Sequence, residues 1–435
     1  MSARYYVVAM LLASLLSTCT DESTQPPSYA PYIGVEVLDA LCTEAWIGVQ
    51  LAAGLQPRAL TLQRDSQTVL NFMLTGTETL IVDDGLLPSQ SYSYTLTRDN
   101  GEFVEHVTAN ATTMDTTSHN FTWQMDTLGV TSSVLSDVAI INDTLAYVVG
   151  EMYLRDSTGQ LDPIFYNLAR WNGQQWILQK ILYNGGPFVG RWLLAFSEND
   201  IWVNEHAHWD GTTWNFLFVG NPIFDGVRTN KAWGTSSNDF YVVGDNGFIA
   251  HYNGATWQSI GSMTGLNVRD IWSAANPRTG EEEILALAST NAPPVQGSMV
   301  LKIAGSSATP VSTTGMSPDM LGIWFVPERR YYAVGAGIHQ KRMLTDSAWN
   351  VYPPGVVTRF LSGGVRGQGI NNVFVVGSFG EVVHFNGQSW FRYFSDIPLP
   401  TGALGGISVR DPLVLTVGLL GTGTGTRGIV LIGRR

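Results

Sequence analysis

The residues with the most evident chemical reach are His208, His251 and His384. Imidazoles are the commonest metal ligands, so three of them read first as a metal centre. Their context argues otherwise. Each directly precedes the aromatic residue of an aromatic-Asn/Asp-Gly turn, at 209–211, 252–254 and 385–387, and Arg170 stands in the same place before Trp171. They are one repeat position in different repeats, on a third strand about 10 Å out from the innermost one. Equivalent positions in different repeats then lie too far apart to share a metal whose bonds are roughly 2 Å. They read as edge histidines bonded to turns. His206 and His208, two apart with Glu205 beside them, are expected on one strand face and form the remaining metal alternative. No metal or cofactor is expected.

A second set is Trp233, Trp272, Trp324 and Arg366. These fall at one repeat position on the innermost strands, aligned on the Asn-Asp-like turn that follows. Facing a central channel, they would form an aromatic funnel with one cation, able to stack on sugars or hold a peptide side chain. Packing between repeats is the alternative. Arg228, Arg269 and Arg359 precede the first strands of their repeats and would rim the same end. The Gly-Thr run at 418–428 has no following Lys or helix, so it reads as a hairpin rather than a phosphate cradle. Cys42 has no disulfide partner once Cys19 is lipidated or lost, and reads as a small buried hydrophobe.

The elements that must position these residues repeat. Residues 232–257, AWGTSSNDFYVVGDNGFIAHYNGATW, read as three strands and the start of a fourth, with Asn246-Gly247 as a hairpin turn. The end of the second strand is marked by Val-Gly at 149–150, 243–244, 334–335, 376–377 and 417–418, with Val203-Asn204 and Leu287-Ala288 in the gaps, 40 to 54 residues apart. Four strands on such a period indicate a β-propeller. Seven marks imply seven blades; six plus a decorated end is the other count. The last unit holds three strands, and a segment at about 127–133 is expected to close the ring. Trp176, Trp214, Trp257 and Trp390, which open fourth strands, are expected at blade interfaces. The turns also slightly resemble the Asp-box of sialidase-like propellers, a turn device that carries no catalysis.

Residues 33–126 read as a separate unit of short strands. The run LLPSQSYSY at 86–94 resembles the E–F corner of fibronectin type III domains, where Leu-x-Pro leads to a Tyr whose hydroxyl bonds back to the backbone. The resemblance implies a sandwich, with Trp46 as a core aromatic, and no ligand. The whole chain is thus expected to be all-β: a fibronectin-III-like sandwich followed by a propeller over 127–435.

Residues 1–18 read as a leader, with Arg4 before a mostly apolar stretch at 5–16. Leu16-Ser17-Thr18-Cys19 resembles a bacterial lipoprotein lipobox, whose cysteine is acylated; Thr18 departs from the usual Gly, Ala or Ser. A Pro-rich tether fills 19–32, and Thr20 is not the Asp of inner-membrane retention, so the resemblance implies an envelope protein, outer membrane favoured.

The chain carries a net charge of −12 and no basic run, which argues against nucleic acid as a partner. The expected role is a non-catalytic binding or scaffold lipoprotein for an envelope protein or glycan; a glycan hydrolase or lyase and an assembly factor are the alternatives. Partner contacts are expected on the face bearing two expanded loops, 151–165 with Tyr153 and Arg155, and 289–298. Cys19→Ser should abolish palmitate labelling and release the protein from membranes; labelling that persists in that variant would remove the anchor.

Overall fold

The computed structural model describes residues 32–52, 58–99, 101–102, 104–290, 297–393, 397 and 399–435. Cys19, the leader, most of the tether and residues 291–296 of the second expanded loop lie outside them. The chain divides into two units, one reaching to Asp39 and adding Trp46–Asp83 and Tyr92–Ala111, the other built from Ala40–Ala45, Asp84–Ser91 and Thr112–Arg435.

The first unit holds two antiparallel sheets. One orders Ile33–Ala40, Glu44–Leu51 and Glu78–Asp84; the other orders Gln67–Leu74, Arg58–Arg64, Ser91–Asp99 and Val104–Thr112. Period-two burial follows the alternation of side chains across a strand: Leu60 and Leu62 on one strand, Tyr94 and Leu96 on its neighbour, are buried with Trp46. Of the two tyrosines in the expected corner, Tyr94 sends its hydroxyl not to the backbone but to Asp83 Oδ2, at 2.7 Å. Arg64 Nη1 lies 2.9 and 2.7 Å from the two oxygens of the same carboxylate. An ionised acceptor outcompetes a neutral carbonyl, and burial pushes the Tyr94 phenol above its usual range.

The second unit is a β-propeller. Among the described residues it contains seven four-stranded sheets, and each innermost strand contacts the next until the last, Gly402–Arg410, returns to the first, Val134–Asn142. The repeat at 232–257 appears as Thr229–Ser236, Asp239–Gly244, Ile249–Tyr252 and Trp257–Ser259. Its hairpin carries Asn246 at φ +56° and Gly247 at φ +75°, as a type I′ turn requires. The ring is closed by Thr122–Leu128 paired with Gly425–Arg434, which corrects the expected segment at 127–133 and crosses the expected boundary at 126/127. The strand stops there because Gly129, at φ +81°, turns the chain.

The Val-Gly mark has a steric cause. In six of the seven sheets the innermost strand carries one residue more than its partner, a bulge opposite the end of the second strand. The bulged backbone takes the space a side chain would need: a Cβ on Gly418 would lie 1.9 Å from the Ala403 carbonyl oxygen, and one on Gly335 2.1 Å from that of Asp319. Gly418→Ala should therefore lower stability by about 1–3 kcal/mol or more, read as a fall in Tm. Gly265→Ala, where a Cβ meets nothing within 4 Å, should leave Tm unchanged.

Candidate functional site

The bulges build the site. The unpaired residue of each bulge is Ser136, Asn230, Arg269, Leu321, Gly363 or Gly405, and all six line one cavity of about 130 Å³ together with Arg191, which precedes the unbulged second blade. The seven residues come from seven blades, so the cavity is the mouth of the central channel. A second cavity, of about 160 Å³, continues past Lys231, Arg366 and Ile407, which line both, to Trp233, Trp272 and Ala139.

Two ion pairs separate the cavities. Lys231 Nζ lies 2.6 Å from Asp137 Oδ1. Arg366 grips Asp270 with both Nη atoms, at 2.8 and 2.7 Å, while its Nη1 also donates to the carbonyls of Ile323 and Val365. Asp137 and Asp270 are the residues immediately after the bulges of the first and fourth blades, and both are buried. Each accepts the N–H of the residue after it and one from the next blade: Leu193 to Asp137 at 3.2 Å, Ile323 to Asp270 at 2.9 Å. Such satisfaction is what a buried charge requires, and losing one partner of such a pair costs about 3–5 kcal/mol.

Trp233, Trp272, Trp324 and Arg366 do share one register, each two residues beyond the post-bulge position. The structure brings three of them together. Trp233 and Trp272 meet edge to face with ring centroids 5.9 Å apart, and the Arg366 guanidinium lies 5.1 Å from the Trp272 ring. Trp324 corrects the expected funnel: it is 2% exposed, packed between the fifth and sixth blades beside Tyr332 and Val365. Its ring fits because Gly367 faces it; a Cβ there would lie 2.7 Å from Trp324 Cζ2. Of the expected rim arginines, Arg269 lines the mouth, its Nε donating to the Ser289 carbonyl at 3.3 Å, whereas Arg228 and Arg359 are exposed and do not line the cavity. Sequence reasoning missed Arg191, Asn230, Asp137 and Asp270. Three residues upstream of the tryptophan position lies the bulge position, and that offset was the available signal.

The first expanded loop leaves from Glu151, which pairs with Val134, and so from the end of the ring where the mouth opens. Tyr153 donates to Glu151 Oε2 at 3.2 Å and packs on Phe165, while Arg155 Nη1 donates to the Gly159 carbonyl at 2.7 Å. Neither lines the channel cavities.

The histidines form a structural device. His208, His251 and His384 each lie directly across from an aromatic residue of the second strand, Trp202, Tyr241 and Phe374, with ring centroids 4.3 Å apart and near-parallel planes. Each Nε2 then reaches the residue opening that strand: Asp200 at 2.9 Å, Asp239 at 2.7 Å, Asn372 at 3.1 Å. His206 does not share their strand, which corrects the paired-histidine expectation. Asn204, at φ +53°, ends the second strand, and His206 sits in the turn before Ala207–Trp209, against Phe188. Among the described residues no group of three or more His, Cys, Asp or Glu is placed to hold a metal. Cys42 is buried, its thiol donating to the Asp115 carbonyl at 3.2 Å and pushed up to about 11 by burial and then by the Asp115 charge. Trp176, Trp214, Trp257 and Trp390 each pack on an apolar cluster shared by two neighbouring blades.

No protein-family model matches the chain, and no curated protein does. Solved structures do. A structure of YCF48 bound to D1 peptide is similar with a TM-score of 0.53 at 16% identity, covering 74% of this chain and 97% of that one. The WD40 β-propeller domain of Doa1 is similar with a TM-score of 0.50 at 10% identity, covering 72% and 97%. At these identities the likeness shows the fold, a β-propeller.

His384 also gives the ring a pH dependence. Burial, then the neighbouring His119 and Arg435, lower its pKa to about 3. His119 Nδ1 lies 2.9 Å from His384 Nδ1, and burial lowers the His119 pKa too. A depressed histidine pKa means that the fold favours the neutral ring. The stability this contributes is present above the unfolded value near 6.5 and is lost as pH falls from there toward 3. Tm should decline below about pH 6.5, and His384→Gln should flatten that decline, measured by thermal unfolding across pH 7 to 4.

Proposed function

We propose that this protein is a non-catalytic binding module whose seven-bladed propeller holds an acidic segment of a protein partner at the mouth of its central channel. The observation that carries the reading is the unbalanced charge of that mouth. Among the described residues the Arg191 guanidinium has no partner, only its backbone N–H being bonded, and Arg269 gives its Nε to a carbonyl oxygen alone. Lys231 and Arg366 are matched by Asp137 and Asp270. Two guanidinium groups thus remain for a ligand carboxylate, and charge-assisted bonds of this kind contribute about 1.5–3 kcal/mol each. Trp233 and Trp272 would receive an apolar side chain further in. That YCF48, a similar propeller, is seen with D1 peptide bound supports a peptide as occupant.

Catalysis is the less supported reading. The carboxylates that line the channel among the described residues are both tied into ion pairs and backbone N–H bonds. A general acid or base must be able to gain and lose a proton near neutrality. The two sheets of the first unit, three strands and four, support a fibronectin-III-like sandwich. With Cys19 acylated, the tether would hold the chain at the bacterial outer membrane.

The test is direct binding of synthetic peptides to the soluble chain from residue 20. Peptides ending in clustered Asp or Glu should bind with salt-sensitive affinity. Arg191→Glu with Arg269→Glu should weaken them at least tenfold without lowering Tm, and replacing the loop at 151–165 by Asp-Asn-Gly should weaken them further. Undiminished binding to the double-arginine variant would move the site elsewhere.

A further inference from the structure

A further cleft of the propeller lies not in the channel but between the first and second blades. It measures about 320 Å³, the small end of the range for ligand pockets, roughly 300–1,000 Å³. One wall is a cross-strand row of the first blade, Tyr147, Arg170 and Ile177; the other is a cross-strand row of the second, Ile201, Trp209 and Trp214. The turn carrying Glu198 and Asn199 closes one side.

The cleft coincides with a break in the repeat. In the second, third and sixth blades the third-strand histidine stacks on a second-strand aromatic and bonds the residue that opens that strand. In the fourth blade Lys302, which lies opposite Leu285 rather than an aromatic, pairs with Glu283 at 2.9 Å. In the first blade the aromatic persists as Tyr147, opposite Arg170, but the residue two before it is Leu145. The Arg170 side chain therefore lacks the partner its equivalents use, and among the described residues it has no hydrogen bond or ion pair. Glu198 in the facing turn has none either. Tyr147 is only 4% exposed and lines the cleft, and its hydroxyl, with no side-chain partner among the described residues, opens onto that space.

We infer that this cleft binds a neutral saccharide of mono- or disaccharide size. One cation faces one carboxylate, so an ionic ligand gains nothing net. The tyrosine hydroxyl, the guanidinium and the carboxylate together offer donors and acceptors to a hydroxyl-rich molecule. Trp209 and Trp214, part-exposed with ring centroids 5.6 Å apart and planes at 44°, offer apolar faces to the C–H side of a sugar ring. The site shares no residue with the channel mouth, so either can fail without the other.

The experiment titrates the soluble chain from residue 20 with cellobiose, chitobiose and maltose, following tryptophan fluorescence and saturation-transfer NMR, with sialyllactose as the anionic comparison. At least one neutral disaccharide should bind saturably at millimolar concentration or below. Arg170→Ala and Glu198→Ala, both outside the core, should each weaken it at least tenfold with unchanged Tm, and Arg191→Glu with Arg269→Glu should leave it intact. No binding by any of the three, binding of sialyllactose alone, or wild-type affinity in the Arg170 and Glu198 variants would overturn the proposal.

Discussion

An innermost strand one residue longer than its partner is the constraint on which this propeller rests. The surplus residue cannot join the ladder, so the backbone bends at that point. The bend drives a carbonyl into the space beside the second strand and permits only glycine there in five of the blades, hence the Val-Gly period. It aims the surplus residue into the channel, one per bulged blade. It also turns the following residue toward the neighbouring blade, where Asp137 and Asp270 accept backbone N–H groups that no ladder partner would satisfy. Site and scaffold thus have one cause.

That cause explains what the sequence disclosed. A steric ban on Cβ leaves a glycine at a fixed interval, and type I′ turns leave Asn-Gly, so blade architecture was legible from residue types alone. The register of Trp233, Trp272, Trp324 and Arg366 was legible for the same reason. The direction of each ring was not, because it depends on a neighbour in another blade. Trp324 turns out of the channel over Gly367, a residue 43 positions along the chain in the next repeat. The closing strand was misplaced by about five residues because the period contains no information about the segment that precedes it; Gly129 was the local marker. The equivalence of His208, His251 and His384 was legible as well, and in three blades they stack alike on second-strand aromatics.

Specific binding in a repeat protein follows from departures. A column filled identically in each blade produces a symmetric ring, and a symmetric ring has no preferred orientation for a peptide or sugar. In the channel mouth the bulge column reads Ser, Asn, Arg, Leu, Gly and Gly, with Arg191 beside it. The two arginines thus fall in the second and fourth blades, and the glycines open the opposite arc of the sixth and seventh. Across the second and third strands, the third-strand side chain bonds a polar residue at the start of the second strand in four blades, His to Asp, Asp and Asn and Lys to Glu, and in the first Leu145 stands where that partner would be. The failure leaves a guanidinium beside the cleft between the first and second blades. The departure at Leu145 leaves the blade's frame as it is, because it touches neither the channel-side bulge at Ser136 nor the Val149-Gly150 contact.

Charge sets the two scales on which such a mouth works. The chain as a whole carries −12, yet the channel places four cations, Arg191, Lys231, Arg269 and Arg366, around two carboxylates. Beyond a Debye length of about 8 Å in physiological salt, surface charges are largely screened, so an approaching anion meets weak repulsion from the net charge until it is close. Within that distance the low-dielectric walls strengthen attraction to the arginines. A uniformly acidic partner gains at the mouth and loses along the surrounding surface. A partner with its acid confined to one terminus or one loop tip gains at the mouth alone. The geometry therefore selects for a localised carboxylate presented on a neutral or basic segment, a narrower class than acidic proteins at large.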